Sequence, residues 1–244
     1  MFRFIVIIIF AVLFLLISFP IFGIEWIIGK FNKKAKDYSS LRILQWALRV
    51  VIRLAGADVT IIGKENIPDE TCLWLANHRS IFDVILLYPL CKQPTGFISK
   101  KSMGKVPSLR TWLLTLHGLL LDRDDPKQGL KVILQAIENI KSGYSMCVFP
   151  EGTRKKTEGG PLLPFHDGSF KISTKTGCAI VPIAINNTSA VFEDQFPRVR
   201  RAKVILEICK PIYPNELDKE TLKHIGRYCQ NIIQETVDKN KSLL

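Results

Sequence analysis

The sequence predicts an α/β fold: a largely parallel central sheet flanked by helices, with an N-terminal membrane-associated helical segment. Three observations predict it. From residue 57 onward, short apolar runs alternate with stretches of helical spacing, the pattern of strand–helix–strand crossovers. Several of those runs are apolar at every position, as strands are when helices cover both faces of a sheet. The chain also opens with 21 uncharged residues, 4–24, among which Ser18 carries the only polar side chain. These features divide the chain into a membrane-anchoring helical segment, 1–56, and an α/β domain, 57–244.

About 20 apolar residues are enough to cross a bilayer as a helix. The run is long for a secretory leader and no small-x-small cleavage site follows it. Pro20 and Gly23 near its end make a half-inserted, monotopic hairpin the alternative to a full span. Lys30, Lys33, Lys34 and Lys36 follow the segment, against Arg3 before it, which places the rest of the chain on the cytoplasmic side. Residues 38–56 read as a second helix. Leu41, Leu44, Leu48, Val51 and Leu54 form a wide apolar face, and Arg42, Gln45, Arg49 and Arg53 form a narrow polar stripe. Such a helix suits a membrane interface; the alternative is a helix packed on the core of the domain.

Strands are predicted at 57–62, 72–76, 96–99, 118–121, 145–149, 179–185 and 203–208, and helices at 81–90, 109–116, 126–141, 169–176 and 216–239. Residues 155–160 are the most loop-like stretch. The net charge of +12 calls for acidic partners: anionic lipid, a phosphate-bearing substrate or nucleic acid. Nucleic acid is disfavoured, because the aromatic residues do not interleave with the basic ones and the chain opens with a membrane segment. The six cysteines are scattered without C-x-x-C or metal-ligand spacing, and suit a reducing compartment.

The chemistry concentrates at predicted strand ends. Asn77-His78-Arg79-Ser80-Ile81-Phe82-Asp83 follows the run 72–76. A histidine oriented by a carboxylate is a general base, and with no serine or cysteine nucleophile beside it the proton it removes belongs to a substrate. The same residues also fit a capping box, with Ser80 as N-cap and Asp83 three positions on. Phe149-Pro150-Glu151-Gly152-Thr153-Arg154 puts a guanidinium fork, suited to phosphate, at another strand end; an internal Glu151–Arg154 pair is the alternative. Arg123, after the run 118–121, is a phosphate ligand or a partner of Asp122 or Asp124, and Lys100 and Lys101 are a further cationic pair or a solvated basic loop. If the strands are parallel, all these groups gather at one sheet edge.

In this order the motifs resemble those of the glycerolipid acyltransferase family, from about residue 63 to residue 212. Asn77-His78 and Asp83 match its N-H-x4-D motif, Leu121-Asp122-Arg123 the end of its second, Phe149 to Arg154 its F-P-E-G-T-R motif, and Val181-Pro182-Ile183 its fourth. The resemblance implies acyl transfer from a thioester, acyl-CoA or acyl-carrier protein as co-substrate, to the 2-hydroxyl of lysophosphatidic acid at a lipid bilayer. It implies no cofactor and no metal. By resemblance His78 is the base and Asp83 its orienter. Glu151, Gly152, Thr153 and Arg154 bind the glycerol phosphate, and Arg123 and Lys101 support it. Another lysophospholipid or glycerol 3-phosphate is the alternative acceptor. One departure stands out: the second motif usually opens with glycine five residues before its aspartate, and that place is taken by His117, with Gly118 following. Metal-dependent hydrolysis is disfavoured, because His117, His166 and His224 form no H-E-x-x-H or comparable cluster.

Overall fold

A computed structural model describes residues 1–155 and 160–244; most of the loop expected at 155–160 lies outside them. Seven strands form one sheet: β1 (Asp58–Ile62), β2 (Cys72–Ala76), β3 (Thr95–Lys100), β4 (Leu119–Leu121), β5 (Ser145–Val148), β6 (Ala179–Asn186) and β7 (Lys203–Ile208). Their order is β1-β7-β6-β2-β5-β3-β4. Only β6 and β7 pair antiparallel; the other neighbours are parallel. β2, β5 and β6 are buried along their whole length, as their unbroken apolar runs require.

The helices are α1 (Phe2–Phe31), α2 (Lys33–Ala55), α3 (Ile81–Leu87), α4 (Pro107–Thr115), α5 (Pro126–Lys141), α6 (Lys171–Thr176), α7 (Lys219–Lys223) and α8 (Ile225–Asn240). α3 stops three residues short of the predicted end: Tyr88 keeps helical backbone, but Pro89 has no N–H to continue the helix ladder, and the chain tightens into a 3-10 turn over Tyr88–Leu90. The helix expected at 216–239 is two, broken at His224.

α1 runs through Pro20 and Gly23 to Phe31. α2 starts earlier than its apolar pattern, because the Asn32 side chain accepts the Ala35 N–H, and it ends on Gly56 in the left-handed conformation at φ 71°. The two helices pack as a pair, with the Glu25 carboxylate accepting the hydroxyls of Ser39 and Ser40. The expected polar stripe of α2 is not all outward. Gln45 is fully buried and its amide donates to the carbonyls of Tyr88 and Cys91, while Arg49 donates to that of Pro89. α2 is thus fastened to the sheet domain by the stripe that periodicity assigns to water, and Trp46 beside it is exposed. α1 keeps an exposed apolar stripe that includes Ile5, Ile9, Val12, Leu16 and Phe19.

His117 shows why a histidine can stand where the family pattern has glycine. Its φ is 60°, the left-handed region that glycine enters freely. The side chain offsets the strain. Its ring stacks on Tyr144 at 3.5 Å, its Nε2 lies 3.1 Å from Asp37 Oδ2, and Tyr144 donates to the same oxygen at 3.0 Å. Burial works against the Asp37 carboxylate, but the His117 and Tyr144 contacts outweigh it and hold Asp37 below the usual range. His117→Ala keeps the strained φ and loses the contacts, whereas His117→Gly loses the contacts and the strain together. We expect both variants to melt below wild type, with alanine the less stable by about 1 kcal/mol. Equal melting temperatures would show that the strain is absent.

Candidate active site

The five mutually parallel strands β6, β2, β5, β3 and β4 end at one edge of the sheet. Every chemistry-bearing residue read from the sequence follows one of them. His78 and Asp83 follow β2, Lys101 follows β3, Arg123 follows β4, and Glu151 to Arg154 follow β5. β6, which carries Val181-Pro182-Ile183, contributes a fifth loop after Asn186.

The turn after β2 is pinned to β6 by Asn77, whose amide donates to the Ile185 carbonyl at 2.9 Å and whose oxygen accepts the Ile185 N–H at 2.8 Å. His78 Nδ1 then lies 2.7 Å from Asp83 Oδ2. That oxygen also accepts the N–H groups of Arg79 and Ser80, at 2.7 and 2.9 Å, and Thr188 Oγ1 donates to Oδ1 at 2.6 Å. Ser80 caps α3 by accepting the Phe82 N–H. The capping box and the histidine–carboxylate pair are therefore both present. One fully buried carboxylate serves both, because the amides of the N-cap Ser80 and of Arg79 before it converge with the imidazole on the same oxygen. The imidazole stacks on Phe149 at 4.1 Å, which fixes its plane. With Nδ1 committed to the carboxylate, Nε2 carries the free lone pair.

Glu151 is buried, and its oxygens accept the N–H groups of His78 at 2.8 Å and Leu163 at 3.0 Å. Burial pushes its carboxyl up, and the two amides offset part of that shift. The family resemblance groups Glu151 with the phosphate contacts, but the geometry gives it backbone amides as neighbours, and a carboxylate repels an anion. It braces the turn that carries His78 against the loop after β5. Gly152 has φ 65°, and a Cβ there would meet the His166 ring at 2.8 Å, so glycine is required by the packing of His166. Thr153 is exposed beside it.

Arg154 is half exposed and donates to Glu193 Oε1 at 2.9 Å, rather than pairing with Glu151. Arg123 is close enough to feel its charge: burial first, and then Arg154, hold the Arg123 guanidinium below its ordinary range. Two guanidinium groups carried by loops at the same sheet edge suit a polyanion such as phosphate. Lys101 is exposed and lies 3.0 Å from Asp122, so its charge is matched before any ligand arrives. Sequence reading missed Thr188 and Glu193, both on the β6–β7 connection. The strand-end rule that located the other motifs applies to β6 as well, and is the signal that could have found them.

A covalent acyl-enzyme has no well-placed nucleophile among the described residues. Burial pushes the Cys72 thiol up to about 12, and raises that of Cys147, on the adjacent strand β5, well above the ordinary range.

The acyltransferase family pattern matches residues 58–186. The chain is 31% identical over 192 residues to the 1-acyl-sn-glycerol-3-phosphate acyltransferase of Saccharomyces cerevisiae, a match that covers 78% of this chain and 62% of the relative. To the enzyme of the same name from Escherichia coli it is 26% identical over 166 residues, covering 68% of this chain and 66% of the relative. The chain thus spans somewhat less than two thirds of the length of the curated relatives it matches; for the chloroplastic Brassica napus protein the share is 54%. The crystal structure of the 1-acyl-sn-glycerophosphate (LPA) acyltransferase from Thermotoga maritima superposes with a TM-score of 0.77 at 25% identity, covering 98% of each chain.

Proposed function

This chain belongs to the acyltransferase family, and from that premise we propose that it transfers a fatty acyl group from a thioester to the sn-2 hydroxyl of lysophosphatidic acid, giving phosphatidic acid. The observation that carries this reading is a histidine with Nδ1 bound to a buried carboxylate and Nε2 open, set at the same sheet edge as Arg154 and Arg123. A thioester carbonyl is electrophilic enough for direct attack by an activated alcohol. His78 Nε2 takes the hydroxyl proton as the oxygen bonds to the carbonyl carbon. The tetrahedral intermediate collapses with cleavage of the C–S bond, and the imidazolium returns the proton to the departing sulfur. Asp83 stabilises the imidazolium throughout. Arg154 and Arg123 hold the acceptor's phosphate. The donor is an acyl thioester, on coenzyme A or on an acyl-carrier protein, and no resident cofactor takes part.

The site works at a membrane. α1 is long and apolar enough to cross one. It also touches the rest of the chain along its length: Arg3 donates to the Ala55 carbonyl, Phe4 stacks on Phe192, the Ser18 hydroxyl receives the Trp112 N–H, and Glu25 receives Ser39 and Ser40. Contacts from residue 4 to residue 25 hold about 30 Å of helix against the body of the protein. We infer that the outward stripe of α1 enters one leaflet rather than crossing both, with the active site on the cytoplasmic face.

Purified protein assayed against a panel of acceptors and thioester donors tests the reading. Lysophosphatidic acid is the expected preferred acceptor; preference for glycerol 3-phosphate or for a lysophospholipid with a larger headgroup would overturn the assignment. Arg154→Ala is expected to raise KM for lysophosphatidic acid by about 10–100-fold, the worth of a charge-assisted phosphate contact. An unchanged KM would remove Arg154 from the phosphate site.

A further inference from the structure

The connection between β6 and β7 crosses the active site, and its Glu193 has no part in the reaction described above. Glu193 Oε2 accepts the Ser80 hydroxyl at 2.5 Å, and Oε1 accepts both the Ile81 N–H at 2.8 Å and Arg154 Nη1 at 2.9 Å. One carboxylate thereby ties Arg154 to the first turn of α3, the helix that carries Asp83. The connection is itself held on two sides. Thr188 donates to Asp83 Oδ1, and Phe192, next to Glu193, stacks on Phe4 of α1 at 5.7 Å, with Phe196 packed edge-on to both rings.

A guanidinium has five N–H donors, and Glu193 takes one of those on Arg154. The others have no partner among the described residues and remain for a ligand. A free arginine side chain loses rotamer freedom when it grips a phosphate; one already held by a carboxylate has lost much of it beforehand. Arg154 is half exposed, so without Glu193 nothing described would restrain it.

We propose that Glu193 is a positioning residue for the acceptor. It holds the Arg154 guanidinium at a fixed place relative to the His78–Asp83 pair, so that a phosphate bound to Arg154 presents its neighbouring hydroxyl to Nε2. The proposal rests on the reading of Arg154 as a phosphate contact. A rival role for the same carboxylate is an internal anion that competes with the substrate for Arg154, and the two roles predict opposite changes in KM.

The test is a double-mutant cycle on the full chain with lysophosphatidic acid as acceptor: Glu193→Ala, Arg154→Ala and the pair, with Glu193→Gln as the variant that keeps an acceptor oxygen for the Ile81 N–H. Glu193→Ala is expected to raise KM by about tenfold and to change kcat by less than about threefold. Glu193→Gln should show a smaller rise in the same direction. In the Arg154→Ala background, removing Glu193 should raise KM no further, because it acts through the missing guanidinium. Multiplying effects in the pair, or a lower KM in either single Glu193 variant, would overturn the positioning role. If Arg154→Ala alone left KM unchanged, the phosphate-site reading would fall first and this proposal with it.

Discussion

His78→Ala is expected to lower turnover by about 10²–10⁴-fold, the usual worth of a positioned general base, while the protein still folds. The loss should appear in kcat with little change in KM for the acceptor, because the phosphate contacts lie on other strands. No second route is at hand, since the thiols nearest the site are buried within strands and hard to ionise. The fold is expected to survive because the imidazole makes one stack, on Phe149, and one side-chain bond, to Asp83. Asp83 keeps its three other donors when the ring is gone. A purified variant with a wild-type melting profile and wild-type turnover would end the proposed mechanism.

How much of this was legible in the chain differs between fold and site. The seven strands are readable because each is a short apolar run closed by a turn or charged residue, and helix-covered strands leave no other pattern. The parallel arrangement then places residues 78, 101, 123 and 154 on one edge without any knowledge of side-chain contacts. Contacts between loops are another matter. Glu193 is 39 residues from Arg154, and nothing local to either marks the pair. Glu151 looks like a ligand residue by position in its motif, and burial makes it a brace. Gln45 falls on a polar stripe by periodicity, yet it turns inward because the Tyr88 and Cys91 carbonyls need donors. In each case a partner distant in sequence decides the role, and local pattern does not carry that information.

Asp83 shows the same limit and offers the sharpest separation of roles. Its Oδ2 accepts the Arg79 and Ser80 amides as a helix cap and receives Nδ1 of His78, and its Oδ1 receives the Thr188 hydroxyl. Asparagine preserves most of this. Its oxygen can take the place of Oδ2, and its NH₂ can donate to Thr188, whose hydroxyl accepts as readily as it donates. What it lacks is the negative charge that stabilises the imidazolium as the proton arrives. Asp83→Asn is therefore expected to fold with a melting temperature close to wild type and to lose about 10²–10⁴-fold in kcat. Asp83→Ala removes the acceptor as well, strands the Arg79 and Ser80 amides, and is expected to be destabilised by about 2–4 kcal/mol through the lost cap and the unpaired groups. The pair of variants separates the capping role from the catalytic one. If Asp83→Asn turned over at the wild-type rate while Asp83→Ala melted early, Asp83 would be a helix cap alone, and His78 would need another source for its orientation.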